Sequence, residues 1–440
     1  MIRIRAATHD DISPVAELWC HAFPGHRTFE ERARLLEQSG SYGGLETVAV
    51  AVDDDVGVAA AYKLMRLTQY ITGVTLPTAG LAAVAVAPSH RRLGLGRRLC
   101  GHALRAARER GDVLSALYPF RPAFYRSMGW GLVSQLHRHR FRTAALSGPR
   151  RPSRVRLAGP DDLARVAACY GRVAERSNGP LRRDEALWQS RLSGAPIAEH
   201  VKGRDMRDPA AWRARRLGKM HVLVHDHGGV AGYLLARYGR GPADERALHV
   251  LELIAERNDA YAELLGWLAN QRDQWPVILY DARPAERFEH RLTQPRSPGK
   301  RNRRRLWLPT GHVLLGPMLR IIDIEGAFAG RRWWGAPPDT PDDGQGRCAV
   351  RIEVDDPELP ENQGPWEIEL KGQEMEMRPA TGGPVDASVA LDAATLAQVY
   401  AGELSLSEAR ELGGARIDGD AALLDRMFAT FEKPWILDEF

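Results

Sequence analysis

Ala79-Gly80-Leu81-Ala82-Ala83-Val84-Ala85-Val86-Ala87-Pro88-Ser89-His90-Arg91-Arg92-Leu93-Gly94-Leu95-Gly96-Arg97 is the stretch that decides how this chain is read. A short apolar, strand-like run ends at Pro88, and Arg91-x-x-Gly94-x-Gly96 then opens a helical pattern reaching about Arg110. Glycines at that spacing let the backbone turn tightly with its N–H groups pointing inward. The helix behind them adds its positive N-terminal end, which makes a seat for a pyrophosphate. Arg91, Arg92 and Arg97 place full positive charges beside that seat.

A plain strand-to-helix turn is the competing reading. Two better-known phosphate loops are excluded, because no Lys-Ser/Thr follows the second glycine and the third glycine of a dinucleotide fingerprint is missing. The chain has 440 residues, 44% of them hydrophobic, and a formal net charge of +5. That length predicts two to four domains, and the small basic excess suits an anionic ligand without demanding a nucleic acid. Cys20, Cys100, Cys169 and Cys348 are far apart and form no Cys-x-x-Cys pair, the pattern of thiols in a reducing compartment. No apolar run approaches the ~20 residues that span a bilayer, and Met1–Arg5 lacks a signal-peptide core. A cytoplasmic protein without membrane insertion is expected.

An internal repeat divides the first two thirds. Arg5-Ala6-Ala7-x-x-Asp10-Asp11-Ile12 recurs as Arg156-Leu157-Ala158-x-x-Asp161-Asp162-Leu163, each reading as a strand followed by an acid-capped helix. Hairpin signatures follow at Val48–Ala60 and Met220–Leu235. The strand of the glycine loop has a counterpart in Leu248–Ile254, but Glu256-Arg257-Asn258-Asp259 stands where the first copy has its glycines. The second copy therefore reads as a degenerate duplicate. Lys300–Arg305 is a basic run read as a solvated linker, with nucleic acid or an anionic lipid as alternatives, leading into a strand at Leu306–Leu308. Beyond it the pattern is α+β: a helix-like stretch from Met318 to about Arg332, strands at Ala349–Val354 and Trp366–Leu370, and helices at Asp392–Ala401 and Ala421–Phe431.

Arg-x-x-Gly-x-Gly after a Val-x-Val strand resembles the acetyl-CoA loop of GCN5-related (GNAT) N-acetyltransferases. The whole chain resembles the Eis (enhanced intracellular survival) family through Leu76–Leu81, Val84–Arg92, Phe124-Tyr125-Arg126-x-x-Gly129-x-Gly131, Met318–Asp323, Leu424-Asp425-Arg426-x-Phe428 and the final Asp438-Glu439-Phe440. The resemblance implies an α/β (α+β) chain of tandem GNAT domains followed by a sterol-carrier-like domain. The boundaries expected are 1–147 for the active acetyltransferase domain, 148–295 for a degenerate second one, and 296–440 for the sterol-carrier-like domain. It implies acetyl-CoA as co-substrate, an amine-bearing small molecule or lysine side chain as acceptor, no metal, and a hexamer.

Carried over by position, Val84, Ala85 and Val86 would contact the cofactor. Arg91, Arg92, Leu93, Gly94, Leu95, Gly96 and Arg97 would hold its pyrophosphate, and Phe120 and Arg121 would line its acetyl end. Tyr125 would be the general acid, the carboxylate of Phe440 would assist amine deprotonation, and Glu439 would bind the acceptor. Trp130 stands where the family carries tyrosine, and Phe120-Arg121-Pro122 departs from the small, glycine-bearing loop of the family. On the residues alone Tyr125 is equally a core tyrosine beside Phe120, Phe124 and Trp130, with Tyr118 as its rival for the acid role. A carboxylate of pKa ~3.5 facing an ammonium of ~10.4 would be uphill by roughly 9 kcal/mol as a direct base. Holding the ammonium and relaying its proton through water is the role it can fill. A noncatalytic acyl-CoA or lipid carrier is the alternative from a different class. His221, His225 and His227 straddle a hairpin turn without metal spacing, and His137 and His139 alternate with arginines as an exposed strand face would.

Overall fold

The duplicated Arg…Asp-Asp signature folds the same way twice. Arg5 forks onto Asp11 at 2.6 and 3.0 Å, and Arg156 forks onto Asp162 at 2.6 and 2.9 Å. In each copy the same carboxylate also accepts a backbone N–H three residues before it, closing the entry to a helix. Hydrogen bonding from the paired arginine holds both carboxyls below their ordinary range. The computed structural model describes residues 1–440 except 26, 40–41, 149–151, 194–219, 298–307 and 335–346. The basic run Lys300–Arg305 and most of the strand expected at Leu306–Leu308 lie outside the described residues.

Among the described residues, three sheets carry the chain. The first has the order β1 (Ile2–Ala6), β2 (Val48–Asp53), β3 (Gly57–Ile71), β4 (Val74–Val86), β5 (Leu114–Leu117), then Met318–Ile321, then β6 (Gly131–Leu132). The second runs from Gly311–Leu315 through β7 (Gln135–Arg142), Val277–Ala282, Arg246–Ala255, Val230–Arg240 and Met220–Asp226 to Val155–Leu157. The third contains five strands between Arg347 and Gly419. Strands thus cross the boundaries expected near 147 and 295. The segment Met318–Ile321 pairs with β5 and β6, and β7 pairs with Val277–Ala282. The stretch from Met318, expected to be helical, is a strand followed by a short helix, Ile324–Ala329. A four-residue apolar run has no period of its own, and here the open edge of β5 decides its conformation.

Helix α1 (Ile12–Ala22) packs on one face of the first sheet, α2 (Phe29–Glu37) lies beside it, and α3 (Leu95–Glu109) follows the glycine loop. Leu95, Leu99, Cys100, Ala103, Leu104 and Ala107 give α3 one buried stripe. It packs against Tyr62, Leu64, Ala79 and Leu81 from β3 and β4. The rim of the loop is thereby fixed to the sheet. Among the described residues no helix is long and apolar enough to cross a membrane, and the four cysteines are unpaired.

Candidate active site

β4 and β5 run parallel and pair only over Thr78–Gly80 and Leu114–Ala116. Beyond Gly80 the two strands part, so one edge of β4 faces an opening. A register shift opposite Ala61–Lys63 and a φ of +51° at Ala83 put a bulge at this point. Left-handed backbone at alanine costs roughly 1–2 kcal/mol. The bulge is held from behind by the Trp19 indole, which donates to the Ala83 carbonyl at 2.8 Å. A splayed strand with unpaired backbone groups is what a pantetheine arm or a thioester carbonyl can bond to.

The opening is a cleft of about 670 Å³. Val84, Ala85 and Val86 form its strand wall, and Gly94, Leu95 and Gly96 form its floor. Arg91, Arg92, Arg97, Phe120 and Arg121 also line it, together with Ala22, Phe23, His90 and Phe124. Of the expected cofactor residues only Leu93 stands off the wall, with 67% of its surface exposed. Arg92 and Gly94 both have positive φ, +64° and +74°, and Gly94 is the N-cap of α3. Alternating handedness of this kind forms an anion-binding concavity of N–H groups. A Cβ on Gly94 would meet nothing, so the glycine is required there by backbone conformation alone. A Cβ on Gly96 would make only an ordinary 3.6 Å contact with Phe124. Nothing among the described residues therefore requires a glycine at 96. Arg97 is tied by an ion pair to Glu358, which comes from the last third of the chain.

Tyr125 sits on α4 (Pro122–Arg126) behind the aromatic wall. Its ring lies 5.0 Å from Phe124, 6.1 Å from Phe120 and 6.1 Å from Trp130, all close to edge-on. It is 4% exposed, and its hydroxyl makes no hydrogen bond among the described residues. Burial pushes its pKa up, so the phenol is protonated throughout the neutral range. Tyr118 behaves differently. Its hydroxyl donates to the Asp438 carbonyl at 2.7 Å, and its ring packs 5.2 Å from Phe440. Burial of its hydroxyl end raises its pKa as well.

The C-terminal segment is docked and not frayed. Trp435 is buried in the core of the second sheet, its backbone N–H donating to the Asn178 carbonyl at 2.9 Å. Phe440 packs beside Met65, Leu67 and Leu181, and Glu439 is exposed. Asp438 accepts from Arg183 at 2.8 Å, and Arg183 forks onto Glu252 at 2.8 and 2.9 Å. Arg191 and Tyr233 also donate to Glu252. Burial works against the charge on Glu252, but Arg183 and Arg191 outweigh it and hold its pKa at about 2. This network lies on the strand that repeats β4, where that strand in turn parts from its parallel neighbour. The second copy's splay is filled by charge pairs and by the tail. Lys63 donates to the Gly43 carbonyl at 2.8 Å, and burial lowers its pKa to about 8.

Sequence reading missed the Arg183–Glu252–Asp438 link. Its one local signal was a lone acid in the apolar run Leu251-Glu252-Leu253-Ile254. It also misplaced His139, which is 3% exposed and not part of a solvated face.

The comparisons with known proteins agree with this architecture. Residues 3–133 and 179–321 each match an acetyltransferase (GNAT) domain, and residues 324–437 match a sterol carrier protein domain. The chain is thus a tandem GNAT-fold protein with a sterol-carrier domain at its end. N-acetyltransferase Eis of Mycobacterium tuberculosis is 30% identical over 298 residues, 64% of this chain and 66% of that protein, just under two thirds of its length. An uncharacterized N-acetyltransferase of Streptomyces avermitilis is 25% identical over 98% of both chains. The fold is shared with Eis1 from Mycobacterium abscessus (TM-score 0.74, 20% identity) and with a GCN5-related N-acetyltransferase from Kribbella flavida (TM-score 0.75, 23% identity), each covered over 100% of both chains. The chain belongs to the GNAT proteins, and along most of its length it is similar to the N-acetyltransferases named Eis.

Proposed function

We propose that the protein is an acetyl-CoA-dependent N-acetyltransferase acting on primary amines, of polyamine, aminoglycoside-like or lysine type. The observation that carries this is the 670 Å³ cleft where the bulged β4, the Arg92–Gly94 turn and the aromatic wall before Tyr125 converge. The cleft suits acetyl-CoA: a concavity of N–H groups with Arg91 and Arg92 for the pyrophosphate, and an unpaired strand edge for the pantetheine. When bound, acetyl-CoA supplies an activated acyl group and a thiolate leaving group.

The chain's own residues then have separate tasks. A backbone N–H at Val84 or Val86 polarises the carbonyl. Tyr125 delivers a proton to the departing sulfur. A phenol near 10 and a thiol near 8.5 leave this uphill by about 2 kcal/mol in water. Burial lifts the phenol further, and the same apolar wall lifts the thiol's pKa by the same physics. The carboxyl that Phe440 carries in this chain holds the incoming ammonium and relays its proton through water. Glu439, exposed beside it, attracts further positive charge on the acceptor. The domain limits proposed remain 1–147, 148–295 and 296–440, with strands exchanged between them.

Thiol release from acetyl-CoA, measured against polyamines, aminoglycosides and lysine peptides, tests the reading. Amine-dependent release is expected. Tight acetyl-CoA binding without release for any amine would point to the acyl-CoA carrier instead. A second test separates ligand approach from fold. Gly96→Ala should raise unfolding stability by about 0.5–1 kcal/mol, since alanine is the better helix residue. The same change should weaken acetyl-CoA binding by about tenfold, or about 1.4 kcal/mol. Calorimetric binding alongside a denaturant melt reads both. Unchanged affinity would remove Gly96 from the cofactor surface.

A further inference from the structure

We propose that His137, His139 and Glu289 form a binding site for one divalent transition metal, Zn²⁺ by the chemistry of its ligands. His137 and His139 are two residues apart on β7 and so project to one face of the second sheet. Glu289, in the turn Phe288–Arg291, brings a carboxylate to the same place. One donor atom from each of the three residues lies within 4.8 Å of the other two. Tetrahedral zinc with bonds of about 2.0–2.2 Å holds its ligand atoms roughly 3.3–3.5 Å apart. Side-chain adjustments of about an ångström close the set.

His139 is the independent observation. It is 3% exposed, and neither ring nitrogen has a hydrogen-bond partner. The main chain of Thr310 lies alongside the ring but outside hydrogen-bonding geometry. Buried polar atoms are almost always satisfied, so two unsatisfied nitrogens on one sealed ring call for a ligand. Phe288 packs 5.3 Å from the imidazole and keeps its surroundings apolar. Two imidazoles and a carboxylate are a borderline-soft donor set that suits zinc and leaves a fourth position for water. Arg287 and His290 approach Glu289 Oε1 at 3.2 and 3.7 Å. Both are about 70% exposed and can return to solvent when the carboxylate turns to the metal.

The metal would act as a clip. β7 comes from the first third of the chain, whereas the turn 288–291 follows the strand Val277–Ala282 with which β7 pairs. A bond through His137, His139 and Glu289 fastens the exchanged strand to the second domain, far along the sequence from the glycine loop.

The test uses the full chain stripped with chelator and titrated with Co²⁺, then with Zn²⁺. One Co²⁺ per chain with visible ligand-field absorption is expected, displaced by one Zn²⁺ that survives desalting and raises Tm. Glu289→Gln and His137→Ala, both at partly exposed positions, should fold normally and lose affinity by at least about tenfold. His139→Ala should lose it as well. Failure of the wild-type chain to retain metal would overturn the site, as would equal retention by Glu289→Gln and His137→Ala.

Discussion

Tyr125→Phe is expected to lower kcat by about 10²–10⁴-fold, the range for loss of a positioned general acid, with acetyl-CoA affinity left within about twofold. The change removes one oxygen from a side chain that is 4% exposed and whose ring contacts with Phe120, Phe124 and Trp130 survive in phenylalanine. Its hydroxyl has no hydrogen-bond partner among the described residues, so no buried group is stranded and stability should hold. Steady-state kinetics with a denaturant melt separate the two effects. The pH profile adds a sign. Burial raises the pKa of Tyr125, so the acid stays protonated as pH rises and sets no limb of the profile below its own high pKa. The acidic limb must belong to the acceptor amine and the groups that hold it. Tyr118→Phe should act elsewhere, by freeing the Asp438 carbonyl from a 2.7 Å bond and raising KM for the amine. If Tyr118→Phe collapses kcat and Tyr125→Phe does not, the acid is Tyr118.

Arg183→Leu should destabilise the chain by about 3–5 kcal/mol, the usual result of removing one partner from a buried ion pair. Glu252 and Asp438 would both lose the guanidinium that bridges them, and neither can reach bulk water. Turnover should fall by more than the folded fraction does, because Asp438 anchors the segment that ends in Phe440. The pH dependence follows from Glu252. Its pKa is about 2 in the folded chain against an ordinary value near 4.3. Its contribution is therefore complete above the unfolded value and is lost as pH falls toward 2. In Arg183→Leu only Arg191 and Tyr233 remain on that carboxylate, so its pKa rises and the acid loss begins at higher pH. Denaturant melts between pH 7 and pH 3 measure this. A variant with wild-type acid stability would show that Arg183 does not hold Glu252 charged.

What could be read from the sequence was what local chemistry writes. The glycine loop is legible because φ above zero at Gly94 demands a residue type. The repeat is legible because one arginine-carboxylate fork closes the same helix entry twice. Met318–Ile321 was not legible as a strand, since its conformation is set by β5 and β6 nearly two hundred residues earlier. The Arg183–Asp438 link spans 255 positions, and no period or motif connects its ends. His139 looked like one polar residue in an alternating run. Phe288 packs on it and strands distant in sequence pair on both sides of it, and they leave it buried.

On the proposed function, the bulged β4 and the loop after it present an acyl group to an amine. Mass spectrometry of a reaction containing the full chain, acetyl-CoA and a polyamine measures this most directly. N-acetylated amine and free CoA are expected in equal amounts, both abolished when the amine is withheld. Free CoA with acetate and no acetylated amine, or no CoA release while acetyl-CoA is demonstrably bound, would contradict it.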